Sequence, residues 1–138
     1  MNFDAIWNDQ MKFNRNFFNP ETIRDNPEKF QQMNNFYCLA AHREISEALD
    51  TVPWKIHRKE HKPEVRSNTL EELTDVFKYL MTLFQLHGFT PEEIETAYYR
   101  KSAVVEQRHL QEMCRNLQDE EDVVAVDIDG VLADYPRS

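Results

Sequence analysis

The stretch NPEKFQQMNNFYCLAAHREISEALD, residues 26–50, decides the fold. Asn26 is an N-cap residue type, and Pro27 suits the first helical position, where its missing N–H costs nothing. No glycine or further proline interrupts the run before Pro53, which ends it. One long helix over 27–50 follows. Beyond it, WKIHRKEHKPEVRSN at 54–68 is basic and polar and reads as a connecting loop. A second helix is expected over 69–87, closed by Gly88 as a C-terminal cap. Thr90-Pro91-Glu92-Glu93 forms a capping box with proline at the first helical position, starting a third long helix that runs to about residue 117. On the N-terminal side, residues 3–13 form a short helix and Asn19-Pro20 marks a turn. The aromatic residues between them (Phe3, Phe13, Phe17, Phe18) are dense enough to pack on the body. Together these elements describe an all-α chain arranged as an antiparallel four-helix bundle.

Composition agrees with helices. At 138 residues the chain has room for one domain, and its two glycines are too few for the turns of a sheet protein. The net charge of −9, with a pI near 5.0, disfavours nucleic acid as a partner, since phosphate contacts need clustered Lys and Arg. An acidic protein can still handle nucleotides where a metal and a few local cations screen the phosphates. Cys38 and Cys114 show no metal-ligand spacing and read as free thiols of a reducing cytosol. No apolar run reaches membrane-spanning length and the N-terminus lacks a signal-peptide core, so a cytoplasmic protein without membrane contact is expected.

Two acidic pairs carry the chemistry. Glu44 and Glu47 are three apart on the first long helix, and Glu72 and Asp75 are three apart on the next. That spacing puts each pair on one helical face. Glu44 shares its face with Tyr37, Ala40, Ala41 and Ala48; Asp75 shares its face with Val76, Tyr79, Leu83 and Leu86. Carboxylates on inward-facing stripes repel one another and are costly to bury. A hard divalent cation removes the conflict, and oxygen-only ligands suit magnesium, with manganese as a substitute. A second reading also stands: Glu72 completes a capping box begun by Thr69, and the other acids are solvated.

The order and flanks of these pairs add a resemblance. ExxE, 24 residues, then ExxD is similar to the signature of the all-α NTP pyrophosphatases, the superfamily of dimeric dUTPases and MazG-like proteins. FYCLAAHREISEALDTVPWKIHRK at 36–59, EELTDVFKYLMTL at 71–83 and YYRKSAVVEQRH at 98–109 resemble its first, second and third motif segments. The resemblance implies magnesium held by Glu44, Glu47, Glu72 and Asp75, with Glu47 activating a water. It implies a homodimer that cleaves a dNTP, dUTP favoured, to dNMP and pyrophosphate. Lys55, Arg58, Lys101 and Arg108 would clamp phosphate. A Gln-x-x-Asn near the start of the first long helix would read the base: Gln32/Asn35, or Gln31/Asn34 at the same spacing. Trp54 and Tyr79 would supply a stacking wall. Lys78-Tyr79 stands where the family often has His-Phe, and Val105 stands where it usually has a nucleotide-holding Asn, which weakens strict dUTP specificity. A MazG-like enzyme taking dCTP or a modified nucleotide is the alternative, and a non-catalytic helical dimerisation module is another.

After the acidic stretch QDEED at 118–122, which reads as a linker, the pattern changes. VVAVDIDGVLADYP at 123–136 resembles the first motif of HAD-superfamily phosphatases, with Asp127 in the nucleophile's place and Asp129 in that of the acid/base. The later motifs of that family do not follow, so the segment is expected to be a truncated, inactive piece. The domain reading is thus a pyrophosphatase domain over 1–117 with an aromatic-rich extension at 1–25, the linker, and the segment 123–138.

Overall fold

The computed structural model describes residues 1–54 and the backbone of 65–121. Four α-helices and one short 3-10 turn occupy them: α1 (Phe3–Asn14), the turn Ile23–Asp25, α2 (Pro27–Asp50), α3 (Arg66–Leu86) and α4 (Pro91–Glu121). No strand occurs among the described residues, and none of their helices is long and apolar enough to cross a membrane. Residues 1–91 form one compact unit and a second begins at Glu92. Each is described by itself.

Local chemistry accounts for most helix ends. Asn2 caps α1 by accepting from the Ala5 N–H, and Asn26 caps α2 by accepting from Lys29 with Pro27 in the first turn. The span of α2 is the one its sequence predicts. α3 starts three residues earlier than expected, with Val65 in the cap position and no side-chain cap bond. Thr69 consequently lies inside α3, where its hydroxyl meets Thr51 Oγ1 at 2.8 Å and the Val65 carbonyl at 3.4 Å. That placement removes the capping-box reading of Glu72, because Thr69 is not the cap. α4 continues to Glu121, past the expected end near residue 117, so residues 118–121 are helical. Gln, Asp and Glu there offer no glycine or proline to stop it.

α2 and α3 run antiparallel. Near one end Asn34 Oδ1 meets His87 Nε2 at 2.8 Å; near the other Thr51 meets Thr69. Phe18, Ile23, Tyr37 and Leu86 form the buried core, with Phe30, Met33, Tyr79 and Leu83 packed against it. The 3-10 turn therefore contributes Ile23 as a plug beneath the helix pair. The N-terminal segment packs on this body as expected: the Phe3 and Phe77 rings lie 6.4 Å apart, and Trp7 is 6% exposed.

Gly88 ends α3 in the left-handed region at φ +79°. Its N–H donates to the Gln85 carbonyl and the Phe89 N–H to the Phe84 carbonyl, which is a Schellman ending. The Phe84 and Phe89 rings meet edge to face at 6.4 Å across it. A Cβ at Gly88 would touch nothing within 4 Å, so only backbone strain opposes a substitution. Gly88→Ala should lower stability by about 1 kcal/mol, and Gly88→Asn by less, read as shifts of the urea midpoint.

Candidate functional site

Antiparallel pairing brings the ExxE of α2 opposite the ExxD of α3. One carboxylate oxygen each from Glu44, Glu72 and Asp75 lies within 4.8 Å of the others. Glu47, the fourth expected ligand, falls outside that trio, although its charge acts on both Glu44 and Glu72. Its carboxylate also faces Arg43, one turn back, at 3.6 Å; this pair is exposed and contributes little to stability.

The trio is electrostatically strained. Glu44 and Glu72 are half-buried, and the Oε2 of each is closed to solvent without a hydrogen-bond partner. Burial first, then the neighbouring carboxyls of Glu72, Glu47 and Asp75, push Glu44 up to about 7 from an ordinary 4.5. At Glu72 the hydrogen bond from Glu44 pulls the carboxyl down, but burial and the Glu47 and Asp75 groups outweigh it and the net movement is upward. Three oxygen donors, two of them with a buried atom that has no hydrogen-bond partner among the described residues, are a set that could hold a hard divalent cation.

A cavity of about 500 Å³ opens beside the trio. Glu44, Asp75 and Lys78 line one part; Phe13, Phe17, Phe36, Tyr37 and Tyr79 give it aromatic walls; Gln10, Asn14 and Thr82 line another part. A second hollow of about 480 Å³ lies along α2, where Arg43, Glu44 and Glu47 face Leu39 and Tyr79. Tyr79 thus borders both.

Other expected residues fall elsewhere. Gln32 and Asn35 are exposed on α2 and line neither hollow. Helical phase explains this: neither shares the Tyr37–Glu44 stripe. Of the other Gln-x-x-Asn pair, Gln31 is exposed and Asn34 is bonded to His87. Trp54 is 47% exposed, donates its indole N–H to Asp50 at 3.3 Å, and lines neither hollow. Lys101 and Arg108 lie on α4, seven residues apart and so on one face of that helix. Lys55, Arg58, Asp127 and Asp129 lie outside the described residues.

Sequence reading missed the amides of the cavity wall. Gln10 and Asn14 on α1 meet Thr82 and Gln85 on α3 in a buried polar cluster. The signal was present: Trp7, Gln10 and Asn14 follow helical spacing, so two amides share a face with a core tryptophan.

Metal-free stability should respond to pH through Glu44. A carboxyl raised in the folded state contributes stability that is complete below 4.5 and lost as pH rises through about 7. Glu44→Gln should therefore melt higher than the wild type at pH 8 in chelator, with the gap closing by pH 5. Parallel melting curves at both pH values would remove the electrostatic account. Comparison of the chain with protein-family models, curated proteins and solved structures finds no match.

Proposed function

We propose that the chain is a magnesium-dependent nucleoside triphosphate pyrophosphohydrolase, an antiparallel helical bundle of the all-α NTP pyrophosphatase type. It would act in the cytoplasm on a deoxynucleoside triphosphate and release pyrophosphate and the monophosphate. The observation that carries the reading is the convergence of Glu44, Glu72 and Asp75, with orphaned buried oxygens, beside a hollow large enough for a nucleoside. Acids in that state are a poor structural device and a good cation cradle.

Glu44, Glu72 and Asp75 would hold magnesium (or manganese), with Glu47 at the edge of the set. The ion, when bound, neutralises phosphate charge and makes a water easier to deprotonate. The protein's own groups do the rest. Glu47 accepts the proton of a water whose oxygen bonds to the α-phosphorus, while the bond from that phosphorus to the bridging oxygen breaks and pyrophosphate leaves. Its half-exposed position, beside Arg43 and the Glu44 and Glu72 carboxyls, leaves the carboxylate accessible to such a water. Lys78 on the wall of the first hollow and Arg43 on that of the second would balance phosphate charge, and the resemblance adds Lys101 and Arg108. Exposed apolar side chains, Leu39 at 70%, Leu70 at 68% and Leu73 at 54%, support assembly as a homodimer.

A panel of deoxynucleoside triphosphates with magnesium tests the reading. Pyrophosphate should appear as first product, and Glu47→Gln should lower kcat by about a hundredfold or more without lowering the melting temperature. Glu44→Gln and Glu72→Gln should abolish the thermal stabilisation that magnesium gives the wild type. Orthophosphate as the first product, or full turnover by Glu47→Gln, would sink the assignment.

A further inference from the structure

Of the four side chains that make up the buried core, only Tyr37 carries a polar atom. Rings enclose its sides: Phe36 and Phe18 meet it edge to face at 5.4 and 6.2 Å, and Tyr79 lies tilted at 6.3 Å. The residue is only 8% exposed. A tyrosine hydroxyl in such a place usually finds a partner in the protein, because burying it unpaired costs free energy. This one makes no hydrogen bond among the described residues. Neither is it sealed in, as Gln10 Oε1 is. Tyr37 lines the first hollow and not the second, so the uncovered hydroxyl end gives onto the aromatic cavity.

Its place on α2 narrows what it could meet there. Tyr37 precedes Glu44 by two turns on the same face, which sets them about 10 Å apart along the helix axis. An α-phosphate at the acid trio is beyond the phenol's reach, whereas the sugar or base attached to it is not. Charge then separates the nucleoside from the terminal phosphates. Burial first, then Tyr79, push the Tyr37 phenol up from 10, so it is protonated and uncharged at neutral pH. A neutral hydroxyl beside Phe13, Phe17 and Phe36 suits an uncharged nucleoside, while terminal phosphates need cations.

We propose that Tyr37 is a substrate-binding residue whose hydroxyl hydrogen-bonds the nucleoside end of the nucleotide, and so fixes which end of the substrate enters the aromatic cavity. The inference rests on the nucleotide reading of that cavity. A phenol hydroxyl both donates and accepts, so a sugar hydroxyl or a base edge can serve as its partner. The contact therefore orients the nucleotide without choosing among bases. It also explains a core position filled by tyrosine where phenylalanine would pack as well: the hydroxyl serves the ligand and not the fold.

Tyr37→Phe removes the hydroxyl and keeps the ring. The two products, dUMP and pyrophosphate, are compared as inhibitors of dUTP hydrolysis by wild type and variant. The variant should bind dUMP about three- to tenfold more weakly, the scale of one hydrogen bond. Its affinity for pyrophosphate should be unchanged and its melting temperature should not fall. Repeating the measurement with 2′,3′-dideoxy-UMP tells the two partners apart: the loss disappears if the 3′-hydroxyl is the partner and persists if the base is. Unchanged dUMP affinity overturns the proposal, as does an equal loss for pyrophosphate, which would mean a general distortion of the site. A lower melting temperature also overturns it, by giving the hydroxyl a role in the fold. If dUTP is not hydrolysed, the pyrophosphatase reading fails separately, and calorimetric titration of dUMP with magnesium into both proteins still tests Tyr37. Equal affinity, or no binding, overturns the proposal there.

Discussion

Everything that gives the site its chemistry depends on the antiparallel seam between α2 and α3. Tyr37, Tyr79, Leu83 and Leu86 pack along it, and that apolar contact is what holds Glu44, Glu72 and Asp75 near one another against their repulsion. Burying a large apolar side chain is worth about 1.5–3 kcal/mol, so a few such residues outweigh the conflict of a few carboxyls. The protein therefore carries a local instability that it can tolerate but does not remove. Upward displacement of Glu44 is the visible trace of that balance.

Much of this was legible before any coordinates. Asn26-Pro27 and Pro53 bracket α2, and Gly88 marks the end of α3, because capping chemistry is local and needs no tertiary information. The i, i+3 spacing of the acids fixed their faces for the same reason. Pairing of the two faces was not local: it required knowing that α2 and α3 turn back on one another. Glu47 shows the limit. Its spacing from Glu44 equals that of Asp75 from Glu72, yet only the second pair lies wholly in the closest set, so spacing alone did not decide which acids converge.

The amides show a different limit. The Gln32/Asn35 reading took a spacing that fits and placed it on an exposed face of α2. Two amides that do line the cavity, Gln10 and Asn14, sat in α1, a segment whose aromatic content pointed only to packing. In a sequence an amide looks alike whether solvated or buried. The distinction comes from the partner helix, here Thr82 and Gln85, about seventy residues away in the chain.

The seam between α1 and α3 differs in kind from the one between α2 and α3, and the difference has a consequence for alignment. Apolar contacts are forgiving, since one leucine position resembles the next when a helix slides. Hydrogen bonds are not. A one-turn slip of α1 would separate Gln10 and Asn14 from Thr82 and Gln85 and Gln85 from the Trp7 carbonyl, at about 1–3 kcal/mol for each buried group left unpaired. The amide cluster works as a ratchet tooth. It gives α1 a single longitudinal setting, and with it a cavity wall whose shape does not drift.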